Sequence, residues 1–304
     1  MTNYSFLNID MPGATSTSPN AINDLGQIAG SYTDSGGHVH GYVESAGQFT
    51  PIDVPGASAT AVTGINNLGQ IVGDYANQSG DHGFLDSFGH ISTIDMPGTT
   101  ATYLGGINDL GQIVGTARLP TSAFSIKQVA FIDSGGHFST ISVPGYPNQP
   151  YTGPGGTYIS GEGINDRGQI TIQVYTPPGS FGGNAFIDDH GTFTRIVPPG
   201  SVLPPSVGGI NNLGAATGTY HVAPPGGSGS APALGFVDAQ GSFSTVKAPG
   251  SANTYAAAIN DFGQVVGTRD DGAGHSHAFL ATPDVAKVDI GSVLGGVLGG
   301  FLQV

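Results

Sequence analysis

The chain has 304 residues and no cysteine, and its 7 basic against 21 acidic side chains give a formal charge of −14. Such a charge repels phosphate backbones and anionic bilayers, which sets aside nucleic-acid and membrane-surface binding. The missing cysteine removes disulfides, thiolate metal sites and thiol nucleophiles. Gly 52 and Pro 21 would suit disorder, but the apolar positions recur with a period, so many short strands joined by turns are the better account.

In chain order, residues 1–6 carry neither the basic nor the apolar region of a secretory leader. Residues 5–13 (SFLNIDMPG) read as a strand and closely match two later segments, 49–56 and 91–98. The pair Ile-Asn then recurs at Ile22-Asn23, Ile65-Asn66, Ile107-Asn108, Ile164-Asn165, Ile210-Asn211 and Ile259-Asn260. The intervals of 43, 42, 57, 46 and 49 residues are blade lengths of a propeller. The long third interval holds a Pro-, Gly- and Tyr-rich insertion over residues 145–161.

The second copy shows the pattern. Strands are predicted over 59–66 (A), 70–75 (B), 82–86 (C) and 90–95 (D), parted by Asn-Asn-Leu-Gly, a polar loop and Ser-Phe-Gly. Gly26, Gly69, Gly111, Gly168, Gly214 and Gly263 stand where a short hairpin loop needs positive φ. The expected fold is all-β: a six-bladed propeller over residues 1–282, with residues 283–304 as a Gly-rich apolar tail.

Only five D strands follow the six Ile-Asn strands. The segment at 5–13 therefore supplies the missing one, closing the ring beside Ala278, Phe279 and Leu280. By strand parity the A–B and C–D turns share one face and the B–C and D–A loops the other. The second face varies in length and composition, so any binding site is expected there.

The blade motif, Ile-Asn-x-x-Gly-Gln-Ile-Val-Gly, then His-Gly/Ala-Phe, then Ile-Asp-x-Pro-Gly, resembles the HAF-type bacterial extracellular repeat family. The tripeptide stands as His277-Ala278-Phe279, with variants beginning at His40, His82, Val129, Asn184 and Leu234. The resemblance covers roughly residues 4–282 and implies a secreted repeat protein; it brings no settled activity. Export would follow a route without an N-terminal signal, and a cytoplasmic place stays open.

Among candidate residues, the six recurring asparagines are expected to open the A–B turns rather than line a channel. A metal ring of HAF histidines is disfavoured, because Val129, Asn184 and Leu234 fill half of the slots and strand C lies third from the axis. The pairs His38/His40 and His275/His277 have the x-His-x-His spacing that puts both rings on one side of a strand. They are weak candidates for Zn²⁺ and would need a third ligand and supporting partners. Asp34-Ser35-Gly36-Gly37 and Asp270-Asp271-Gly272 offer Ca²⁺ ligands in principle but lack EF-hand spacing; turn chemistry explains them better.

Glu162 is one of only two glutamates, and its equivalents in the other copies are Asn20, Thr63, Gly105, Gly208 and Ala257. A lone carboxylate on an inner wall is a candidate ligand contact, or an acid/base if burial raises its pKa. Tyr103 and Tyr255, at matching positions in blades three and six, and Tyr158 of the insertion, with Tyr146 and Tyr151, are the aromatic candidates. No nucleophile elbow or metalloprotease helix is present.

The tail's GSVLGGVLGGFLQV is uncharged and too short to span a bilayer. It is read as an export signal, an association segment that would give a homo-oligomer, or a strand packed on the ring. The leading expectation is an extracellular binding or adhesion scaffold for a glycan or other small molecule. Its rivals are a lyase or hydrolase using Glu162 with Asp or His from neighbouring loops, and a self-assembling structural protein.

Overall fold

The computed structural model describes residues 3–122, 125–146, 157–176, 183–224, 226, 230–271 and 273–284. The tail from residue 285 on, Tyr151 and Gly272 therefore lie outside the described residues.

The chain opens with β1 (Tyr4–Asn8). Blade 1 is β2 (Ser16–Ile22), β3 (Ile28–Thr33), β4 (Val39–Ser45) and β5 (Gln48–Ile52), and blade 2 is β6 (Ala59–Ile65), β7 (Gln70–Asn77), β8 (Gly80–Ser87) and β9 (His90–Ile94). Blade 3 is β10 (Ala101–Ile107), β11 (Gln112–Ser122), β12 (Ser125–Ser134) and β13 (Phe138–Ile141). Blade 4 is β14 (Tyr158–Ile164), β15 (Gln169–Tyr175), β16 (Asn184–Asp189) and β17 (Thr192–Ile196). Blade 5 is β18 (Ser206–Ile210), β19 (Ala215–His221), β20 (Ala233–Ala239) and β21 (Ser242–Val246). Blade 6 is β22 (Thr254–Ile259), β23 (Val265–Asp270) and β24 (Ser276–Pro283), completed by β1.

Every sheet has four antiparallel strands, and the six innermost strands touch in sequence around a closed ring. The expected strands of the second copy hold to within two residues at each end. Two boundaries move. The last blade includes Pro283, which pairs with Tyr4. The last four residues assigned to the insertion, Tyr158 to Gly161, already belong to β14, because the apolar and small alternation of the inner strand starts there.

Closure follows the expected register, with Leu7 opposite Leu280 and Asn8 opposite Phe279. The Asp284 N–H donates to the Asn3 carbonyl at 2.8 Å, and the Phe6 and Phe279 rings meet edge to face at 5.3 Å. Each blade's core is centred on the third residue of the HAF slot. Tyr42, Phe84, Phe131, Phe236 and Phe279 are almost wholly buried, each contributing about 1.5–3 kcal/mol of apolar burial.

The A–B hairpins are built from one local device. The Asn23 side-chain oxygen accepts the N–H groups of Leu25 and Gln27 at 3.1 and 2.9 Å, while Gly26 takes φ 75°. The same pattern recurs in all six blades, bearing out the turn reading of these asparagines.

Candidate functional site

All six innermost strands break register two or three residues before the Ile-Asn pair. In β14 Gly161 pairs with Ile172 and Gly163 with Thr171, leaving Glu162 as the extra residue. Asn20, Thr63, Gly105 and Ala257 occupy the same bulge in their blades, and Val207 to Ile210 skips two residues. A bulge re-aims its unpaired side chain, here toward the axis. Around the ring the bulge residues line one axial cavity of about 490 Å³ on the loop-rich face. That volume suits a small ligand. The isoleucines of the Ile-Asn pairs form its floor, since Ile22, Ile65, Ile107, Ile164, Ile210 and Ile259 also border the opposite channel mouth.

The wall is mostly backbone and small side chains. Gly105 and Gly208 flank Glu162 on either side because nothing larger fits. A Cβ on Gly105 would lie 2.3 Å from the Gly161 carbonyl oxygen, and one on Gly208 would lie 2.0 Å from that of Ala257. The polar groups that reach the cavity are therefore few and fixed in place.

Glu162 keeps some contact with the cavity but is walled in on its other sides. Burial pushes its pKa up, with the Ser160 hydroxyl opposing. Ser160 also bonds Thr116 on blade 3 at 2.8 Å. Asp74, from β7, enters the same cavity between blades 2 and 3 and accepts the Leu104 N–H at 2.7 Å. Burial pushes Asp74 up to about 7, against the Leu104 hydrogen bond and with the Asp81 charge adding. Tyr103 also lines the cavity; its hydroxyl donates to Asp81 at 2.5 Å and its ring carries the Arg118 guanidinium 5.0 Å from its centroid. Burial and the Asp81 bond hold the Tyr103 hydroxyl at a pKa of about 12.

Of the four residues singled out from sequence, Glu162 and Tyr103 line this cavity and Tyr158 and Tyr255 do not. Tyr158 sits four positions further out along β14 than Glu162 and stacks on Tyr175, its cross-strand partner, at 4.4 Å. Tyr255 matches Tyr103 in position but stands 39% exposed outside the wall. Tyr146 packs edge to face on Phe186 at 5.7 Å rather than at the channel.

Asp74 was missed, and the signal that finds it lies in the repeat alignment. Its equivalents on the second strands are Ser31, Thr116, Gln173, Thr219 and Thr268, so it is the single ionisable residue of its set, as Glu162 is of its own.

The opposite mouth is a different construction. Each Ile-Asn asparagine donates from Nδ2 to the backbone carbonyl of its counterpart in the next blade, from Asn23 to Asn66 and onward until Asn260 returns to Asn23, at 2.8 to 3.2 Å. The next residues form a second closed cycle. Backbone N–H groups of Asp24, Asn67, Asp109, Asp166, Asn212 and Asp261 each donate to the following side chain at 2.7 to 2.8 Å.

The HAF histidines do not converge. His40, His82 and His277 each bond through Nδ1 to the aspartate that ends strand D of the same blade, Asp53, Asp95 and Asp10, at 2.9, 2.7 and 2.7 Å. Blades that lack the histidine also lack the aspartate, with Ser142, Val197 and Lys247 in its place. The pair thus fastens strand C to the D–A loop. The partner carboxylate raises the pKa of His40 and of His277.

In the x-His-x-His pairs, Asp34 lies 3.3 Å from His38 and 3.5 Å from His40, and Asp271 lies 2.8 Å from His275 and 3.6 Å from His277. Among the described residues, no group of three His, Asp or Glu side chains is arranged to hold a metal ion. The second oxygen of each aspartate accepts loop N–H groups, Gly36 and His38 for Asp34, Ala273 and His275 for Asp271. Those bonds favour the turn reading of both acidic loops.

No protein-family model and no curated protein matches the chain, so the HAF-type resemblance rests on the repeat residues alone. Solved structures do match. A protein of unknown function from Dyadobacter fermentans is 10% identical at a TM-score of 0.55, over 92% of this chain and 98% of that one. A gluconolactonase from Xanthomonas campestris is 14% identical at 0.51, over 92% and 90%. The Hadza microbial sialidase Hz136 is 10% identical at 0.53, over 92% of this chain and 68% of that one. At these identities the likeness is one of architecture, and the chain is a six-bladed β-propeller closed by its first strand.

Proposed function

We propose that the chain is an extracellular binding propeller that takes a small polyhydroxylated ligand, a glycan unit, in its axial cavity. The observation that carries this reading is the axial cavity on the loop-rich face, walled by small side chains and a few fixed polar groups. Asn20, Thr63, Ser160 and Thr116 supply hydroxyl and amide partners, and Tyr103 supplies an aromatic edge. The extracellular place rests on the repeat resemblance. Among the described residues no helix is long and apolar enough to cross a membrane. A glycan array with the purified chain, followed by titration of hits against Tyr103→Ala, tests the reading. Hits that weaken in the variant support it, and hits that bind equally well place the ligand elsewhere.

A second reading draws on Asp74. Two carboxyl groups in one cavity, both pushed up by burial and Asp74 to about 7, are the residue types from which a hydrolase or lyase draws its acid and its base. Glu162→Gln separates the two. Turnover that collapses while binding persists favours the enzyme, and an absence of turnover across glycoside, lactone and uronide substrates favours the binder.

A further inference from the structure

The cavity contains an electrostatic imbalance that glycan binding alone does not use. Among the described residues its wall holds Asp74 and Glu162 and not one Lys, Arg or His. Both carboxyl groups sit deep enough for burial to dominate their titration. An ionised carboxylate in such a place costs several kcal/mol unless a counter-charge meets it. No Lys, Arg or His among the described lining residues supplies one. The Arg118 guanidinium, over the ring of Tyr103, makes no ion pair with an acid among the described residues.

Structural need does not explain the charge on Asp74. In blade 4 the equivalent Gln173 accepts the equivalent N–H, that of Val207, at 3.0 Å. A neutral amide therefore does the hydrogen-bonding work that Asp74 does for Leu104. The same argument applies to Glu162, whose bulge is occupied elsewhere by Asn20, Thr63, Gly105 and Ala257. Both acids are the only ionisable members of their sets, and both face one space.

We infer that the axial cavity receives a cationic, amine-bearing ligand, with Asp74 and Glu162 as its counter-charges. The inference rests on the binding reading above and narrows its ligand class to a sugar or small polyol that carries an ammonium group. Bringing the ammonium in removes the protons that the empty cavity retains, so binding releases protons and tightens as pH rises through the two raised pKa values. The titratable and charged neighbours are Asp81, Tyr103 and Arg118 around Asp74, and Tyr175 and Tyr158 around Glu162. Burial and neighbouring charge hold the Tyr103 and Tyr175 hydroxyls up, which leaves the raised pKa values of the two cavity acids to set the pH dependence.

The test uses three probes with the full chain: 2-aminoethyl β-glucoside, its neutral counterpart 2-hydroxyethyl β-glucoside, and 1,4-diaminobutane. Calorimetry at pH 8 is expected to show the aminoethyl glucoside binding at least about tenfold tighter than the hydroxyethyl glucoside, with that advantage shrinking about tenfold by pH 5. The Asp74→Gln and Glu162→Gln double variant, whose first change copies Gln173 of blade 4 and whose second is the neutral isostere, is expected to erase the preference. If the double variant is not folded by circular dichroism, each single variant must halve the pH-dependent slope. Equal binding of the two glucosides, or a preference that survives the variants, overturns the inference while leaving glycan binding intact. Diaminobutane binding with the expected pH slope, and no glucoside advantage over it, sinks the glycan reading and keeps the cation. Binding of none of the three overturns the inference.

Discussion

The two mouths of the axial channel are made from neighbouring residues of the same six strands, yet they obey opposite rules. At the turn mouth all six copies carry the same asparagine, joined nose to tail in a closed cycle of hydrogen bonds. Three residues earlier in each strand, at the cavity mouth, the six copies carry Asn, Thr, Gly, Glu, Gly and Ala. Identity is enforced where each side chain satisfies two blades at once. Variation is allowed where a bulge lifts the side chain out of the ladder and into empty space. The propeller thus separates the part that fixes its geometry from the part that is free to acquire chemistry.

That contrast is open to attack, and the hardest blow falls on the cycle. Asn108→Ala removes acceptors for Leu110 and Gln112 and a donor to Gln112 and Asn165, so denaturant unfolding should show a loss of about 3–5 kcal/mol. A loss below about 1 kcal/mol would mean that the cycle is ornament. Gly208→Ala comes next, because its new Cβ meets the Ala257 carbonyl oxygen at 2.0 Å and the backbone must give way, at about 2–3 kcal/mol.

Asp74→Asn is expected to go the other way. Because the folded pKa of Asp74 stands near 7 and the unfolded value near 3.8, the native state holds its proton more tightly, and stability falls as pH climbs between those values. The variant should therefore be more stable than the parent at pH 8, on the order of 2 kcal/mol, and indistinguishable from it at pH 4. Thermal unfolding at the two pH values checks the sign.

Smaller effects belong to the outer rim. His40 has a raised pKa from its bond to Asp53, so its contribution is full at pH values below the ordinary imidazole pKa and is lost as pH rises through the raised one. His40→Gln should cost under about 1 kcal/mol at pH 5.5 and nothing measurable at pH 9. Smallest of all, Thr63→Ala at the cavity bulge, whose hydroxyl reaches only the Val72 carbonyl at 3.4 Å, should stay within about 0.5 kcal/mol at any pH.

The fold was legible because its signals are local and repeated. Ile-Asn spacing gave the blade count, the turn glycines gave the hairpins, and one surplus D-type segment at residues 5–13 gave the closure. The cavity was half legible. Glu162 stood out because an acid among Asn, Thr, Gly and Ala is visible in a column of six. Asp74 is an equally lone acid in its own column, among Ser, Thr and Gln, but its place in the cavity is not legible there, because its side chain is set by a backbone group of the next blade. The tyrosines misled for a related reason. Tyr103 and Tyr255 share a register position, but the cavity wall includes Tyr103, held by Asp81 from the neighbouring blade, and not Tyr255. Inter-blade contacts decide which aromatic faces inward, and strand pattern is blind to them. The His–Asp pairs were readable in principle, since loss of the histidine in blades 3, 4 and 5 is matched each time by loss of the aspartate.

The closing strand also has a consequence in time. Asp10 bonds to the backbone N–H of Ala278, a partner 268 positions away along the chain. On the ribosome the first strand emerges on the order of tens of seconds before the strand it must pair with. For that interval its edge and its exposed Leu7 have no proper neighbour, and any other unpaired strand is a rival. Assembly of this molecule is therefore a race between waiting and mispairing, and the interval is set by the speed of translation.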